Sequence, residues 1–137
     1  MDFKLSHVFI QVHDQDEALK FYRDVLGFKV TSDVVFDGVN RWLTVSPPEQ
    51  PDVQIMLEKV GMGRPTTDHK ALAQLLAKGS LSGPIFRTSD ADAAFEKIRA
   101  SGAEVLQEPI NQPYGVRDFS FRDPSGNPLR FSQPLYS

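Results

Sequence analysis

The chain reads twice. Asp14, Asp16, Ala18 and Arg23 are matched 76 residues later by Asp90, Asp92, Ala94 and Arg99. One residue is then lost, and Gly27 is matched by Gly102 and Val30 by Val105. A repeat of this kind implies two copies of one supersecondary unit, and whatever fold the chain adopts must accommodate both.

Each copy carries the same succession of signals. An apolar, β-rich stretch comes first, at residues 5–12 and 84–88, and ends in acidic turn formers. A helical pattern follows. Asp14 or Asp16, and Asp90 or Asp92, are placed to accept hydrogen bonds from the free N–H groups of its first turn. Ala18, Phe21, Tyr22, Val25 and Leu26 form one apolar face of the first helix; Ala94, Phe95, Ile98 and Ala100 form a thinner one on the second. Gly27 and Gly102 stand where a left-handed residue closes a helix. Three strands are then predicted in each half, over 28–34, 41–46 and 53–59, and over 103–108, 116–122 and 128–132. Asp123-Pro124-Ser125-Gly126-Asn127 makes the last turn. The predicted organisation is one α+β domain of two β-α-β-β-β modules, at about 3–60 and 83–134. A linker over 61–82 carries one short helix, at 70–77.

Composition narrows the function classes. Lys and Arg number 15 against 18 Asp and Glu, a net charge of −3, whereas a nucleic-acid binder carries a basic excess. The absence of cysteine excludes disulfides, thiolate metal sites and thiol nucleophiles. No apolar run reaches membrane-spanning length, and Met1-Asp2-Phe3-Lys4 does not open a secretory signal, so a cytoplasmic protein without membrane contact is expected. There is no G-x-S-x-G elbow. Gly61-Met62-Gly63-Arg64-Pro65 lacks the later glycine and the lysine of a phosphate-binding loop.

The doubled β-α-β-β-β pattern resembles the vicinal oxygen chelate superfamily of glyoxalases, bleomycin-resistance proteins and extradiol dioxygenases. The run Asp14 to Phe28, with Phe21-Tyr22-Arg23-Asp24-Val25-Leu26-Gly27-Phe28 at its centre, and the run Phe121 to Asn127 carry the likeness. The resemblance implies two modules, each forming half of a cup around one cavity, and in many members a homodimer. It also implies four metal-ligand stations, on the first and fourth strand of each module. Carried over, these are His7, Met56, Gly83 and Arg130.

Only His7 of the four suits a divalent cation. A thioether is too soft, glycine has no donor and arginine is permanently cationic. No metal and no other cofactor is therefore expected. Glu58 shares the face of Met56 but stands two residues further along the strand, and His13 and His69 lie in a turn and in the linker. Alternation places His7, Phe9, Gln11, Met56, Arg87 and Arg130 toward the cavity, with Phe36, Trp42 and Phe119 as aromatic wall candidates. Arg87 and Arg130 suit a carboxylate, phosphate or enolate group, or else pair with Asp118, Glu58 or Glu104. The expected function is metal-independent binding, sequestering an anionic or aromatic metabolite or antibiotic. The alternatives are a metal-using glyoxalase-type lyase or isomerase or a ring-cleaving dioxygenase, and metal-free acid–base catalysis by His7, with Glu58 beside it and an arginine stabilising an enolate.

Overall fold

The structure, a computed structural model, describes residues 1–136. The chain divides into two compact units, Met1–Leu76 and Ala77–Ser137. Each is a four-stranded mixed sheet with one face under a helix, so the α+β class and the two β-α-β-β-β modules stand as the repeat predicts.

In the first unit β1 (His7–Val12) leads to α1 (Gln15–Leu19), which runs on as a π-helical stretch over Lys20–Val25. Three strands follow: β2 (Lys29–Phe36), β3 (Asn40–Ser46) and β4 (Gln54–Lys59). The spatial order is β1-β4-β3-β2, with β1 parallel to β4 and the other pairs antiparallel. Asp14 is the helix cap, its carboxylate accepting from the Glu17 N–H at 2.9 Å. Asp16 instead reaches Arg41, whose guanidinium also forks onto Asp33. Ile10, Val12, Leu43, Val45, Ile55 and Leu57 point to the helix side, where Ala18, Phe21 and Tyr22 close the core. After β4 comes α2 (His69–Ala77), one residue longer at its start than the apolar spacing predicts; all but its last residue belong to the first unit.

The second unit repeats the plan with β5 (Ile85–Arg87), α3 (Ala91–Arg99), β6 (Glu104–Asn111), β7 (Val116–Arg122) and β8 (Pro128–Pro134), in the order β5-β8-β7-β6. Asp90 caps α3, accepting from the Ala93 N–H, and Asp92 pairs with Arg117. The core is aromatic: Phe119 stacks on Phe131 at 4.9 Å between ring centres and meets Phe95 and Phe121 edge-on. Asp123 holds the turn between β7 and β8, one carboxylate oxygen accepting from the N–H groups of Ser125, Gly126 and Asn127. Gly27 and Gly102 both adopt positive φ, at 77° and 87°, as helix-closing residues must.

The repeat extends to strand register. His7 lies opposite Gln54 and Phe9 opposite Met56; Ile85 lies opposite Arg130, with Phe86 and Arg87 following in step. Most strand ends move by one to three residues from the sequence reading. β2 and β6 run on to Phe36 and Asn111, because pairing with β3 and β7 continues beyond the apolar residues.

Candidate functional site

Each sheet has one face turned away from its helix, and the sequence-predicted site residues other than Phe119 divide between those two faces. In the first unit alternation sends His7, Phe9 and Gln11 of β1, Gln54, Met56 and Glu58 of β4, and Trp42 and Thr44 of β3 to this face. The indole of Trp42 lies 5.8 Å from the His7 ring and 6.4 Å from the Phe9 ring. Because β4 runs between β1 and β3, the indole crosses over β4 to reach both, which accounts for the complete burial of Met56. Phe9 remains 54% exposed and Phe36, at the far edge on β2, 42%. The result is an aromatic wall with accessible rings.

Beneath the wall is a polar floor. Thr31 donates to Gln54 Oε1 and shares a 2.7 Å hydrogen bond with Thr44, while the Ser46 hydroxyl, which donates to the Val53 carbonyl at 2.6 Å, lies 3.3 Å from the same Oε1. Further along, Gln11 donates to the buried carboxylate of Glu58. His7 and Glu58 are not brought together. His7 is level with Gln54, four residues before Glu58, a separation of roughly 13 Å along a strand. His7 is exposed, with Ser6 Oγ as its hydrogen-bond partner at 2.9 Å.

In the second unit Arg130 and Ser132 of β8, Asp118 and Ser120 of β7, and Ile85 and Arg87 of β5 share the face away from α3. Asp118 is its centre, 1% exposed. One carboxylate oxygen accepts from the side-chain amides of Gln107 at 2.8 Å and Gln112 at 2.9 Å; the other meets Arg130 Nη1 at 3.1 Å. The same Nη1 donates to Gln107 Oε1 at 3.0 Å, closing a ring of three side chains. Burial pushes the Asp118 carboxyl upward, but the two amide donors and the Arg130 charge outweigh it and hold the group below the usual carboxylate range. Of the partners open to Arg130 in the sequence, the fold selects Asp118. Arg87 borders an open groove of about 500 Å³ with Gln133, Pro134 and Tyr136.

One wall candidate lies elsewhere. Phe119 is fully buried among Phe95, Phe121 and Phe131 on the helix side of β7, because the face away from the helix is taken by its neighbours Asp118 and Ser120. Gln107 and Gln112, which complete the network around Asp118, are not among the residues that the sequence points to. The network's sequence signal is slight, an Asp that alternates with phenylalanine along a strand.

The matching family model is the glyoxalase/bleomycin resistance protein/dioxygenase superfamily, over residues 4–131. The chain belongs to this superfamily. Among solved structures, this superfamily member superposes on UcmS2 with a TM-score of 0.88 at 36% identity, covering 96% of this chain and 98% of the other. It matches TnmS3, an antibiotic binding protein from Streptomyces sp. CB03234, with a TM-score of 0.75 at 30% identity, covering 97% of each chain. It is also 29% identical over 137 residues to the uncharacterized protein YurT of Bacillus subtilis (strain 168), covering 97% of this chain and 99% of that one.

The four stations of a superfamily metal centre do not fit a divalent cation here. Gln54 rather than Met56 is level with His7, and its amide is held by Thr31, Ser46 and the Pro51 carbonyl. A Cβ at Gly83 would come within 1.7 Å of the Pro128 backbone oxygen, so this station admits no side chain without moving the strand start. Arg130 adds a cation that repels a second one by several kcal/mol, roughly, at an effective dielectric near 20. Among the described residues no three His, Asp or Glu side chains converge as a metal-ligating group, and no helix is long and apolar enough to cross a membrane.

Proposed function

We propose that this superfamily member is a cytoplasmic binding protein that sequesters a small aromatic or anionic organic molecule without a resident metal, working as a homodimer. The observation that carries the reading is the aromatic wall of His7, Phe9 and Trp42, which presents accessible ring surface over a fixed polar floor. Such a mixture, mostly apolar with few polar groups, is how small-molecule sites are lined. The likeness to TnmS3 supports a binding role of this kind, and the donor chemistry at the four stations supports metal independence. Val34, Phe36 and Ile85 are exposed apolar side chains on the faces away from the helices, and a second copy is the partner proposed to cover them. The second reading, a metal-using lyase, isomerase or dioxygenase, needs a ligand set that these stations do not provide.

Metal analysis and thermal melts of protein purified without an affinity tag test the proposal. The expected result is no stoichiometric nickel, zinc or iron, together with a rise in melting temperature for some members of a panel of planar aromatics and organic anions. Stoichiometric metal that disappears in His7→Ala would return the protein to the enzyme reading. Light scattering at a monomer mass would remove the dimer.

A further inference from the structure

We infer that Arg130 is a carboxylate-recognising residue: its inner guanidinium edge is anchored by Asp118 and Gln107, and its outer edge is presented to a planar organic anion. This inference rests on the binding reading above and adds to it an anion subsite on the sheet of the second unit. Arg130 spends a single nitrogen, Nη1, on both of its partners. Among the described residues Nε and Nη2 have none, although the side chain is only 38% exposed. A guanidinium fork of two parallel N–H groups matches the two oxygens of a carboxylate, and an arginine already immobilised forfeits little rotamer freedom on binding one.

The surroundings favour an anion in two further ways. The two side-chain acceptors that hold Arg130, Asp118 and Gln107, are already engaged. Asp118 takes up Gln107, Gln112 and Nη1, and no buried side-chain nitrogen or oxygen among the described residues is left unsatisfied. The Arg130–Asp118 pair is neutral as a unit. Arg87, however, faces the same side from β5 beside Ser132 and has no carboxylate partner among the described residues. The two arginines are diagonal neighbours on adjacent strands, with Cα atoms roughly 8 Å apart, within reach of one ligand group. Arg87, Asp118 and Arg130 together carry one net positive charge in a chain that is acidic overall.

Calorimetric titration with 2-naphthoate and its uncharged isostere 2-naphthamide tests the inference. The wild-type protein is expected to bind the carboxylate about tenfold or more tightly than the amide, the scale of one charge-assisted pair. That preference should vanish in Arg130→Gln. Arg130→Lys keeps a cation beside Asp118, and with it the fold, but removes the fork; it should lose most of the preference while binding 2-naphthamide as before. Equal affinity for the two probes in the wild type would overturn the anion subsite and leave the binding function standing. A preference that survives both substitutions would overturn its assignment to Arg130. Binding of neither probe would overturn the subsite together with the reading on which it rests.

Discussion

Replacing Phe119 by alanine separates a core residue from a ligand-wall residue. The ring is fully buried and meets three others, stacked on Phe131 at 4.9 Å and edge-on to Phe95 at 5.5 Å and Phe121 at 5.7 Å. Truncating a buried phenylalanine costs about 3–5 kcal/mol through lost transfer free energy and the cavity left behind. The aromatic pairs place this site toward the upper part of that range, because each adds about 0.5–1.5 kcal/mol beyond area burial. A loss of about 4 kcal/mol is a large share of a total stability of about 5–15 kcal/mol. It corresponds to a fall in melting temperature of roughly 10–15 °C for a chain of this size. Urea unfolding followed by circular dichroism measures it, and ligand affinity of the folded fraction should be unchanged. A loss below about 1 kcal/mol accompanied by loss of binding would refute the assignment, since it would place the ring on the ligand side of β7.

Three further outcomes are expected. Asp123→Ala strands the buried N–H groups of Ser125 and Asn127 in the turn between β7 and β8, leaves that of Gly126 only its backbone bond to the carbonyl of residue 123, and should cost about 3 kcal/mol, read by the same unfolding titration. Gly83→Ala should destabilise the protein and Gly83→His should create no metal site by metal titration, because any Cβ there meets the Pro128 oxygen. The third concerns acid stability. The Asp118 carboxyl is depressed in the folded state, so its contribution is present above the unfolded value near pH 4 and is lost as pH falls through the lower folded value. Asp118→Asn should therefore flatten the fall in melting temperature below about pH 4 relative to wild type, and an unchanged acid limb would contradict the network.

The repeat made the fold legible because caps and helix stops are local chemistry. Asp14, Asp90, Gly27 and Gly102 do in the structure what their residue types require. Facing on a strand was legible wherever one member of the alternation was already fixed, as for Phe9 and Gln11 beside His7. It failed at Phe119: Phe119 and Phe121 alternate with Asp118 and Ser120 and so mark one apolar face, but alternation alone does not say whether that face meets α3 or a ligand. Register between strands was not legible either. Alternation says that Gln54, Met56 and Glu58 share a face, whereas only long-range pairing decides which of them is level with His7. The Asp118 ring unites residues from three strands of the second sheet and the adjoining Gln112, a closure that no local pattern reports.

The claim that matters most is that a ligand binds against the aromatic wall without a metal, and the chain's single tryptophan, Trp42, stands in that wall. Its emission can be titrated with 1,4-naphthoquinone, a planar quencher, in the presence and absence of EDTA. The account predicts saturable quenching that is identical in both conditions and weakened in Phe9→Ala. Quenching that rises linearly without saturation, or that EDTA abolishes and added divalent metal restores, would contradict it.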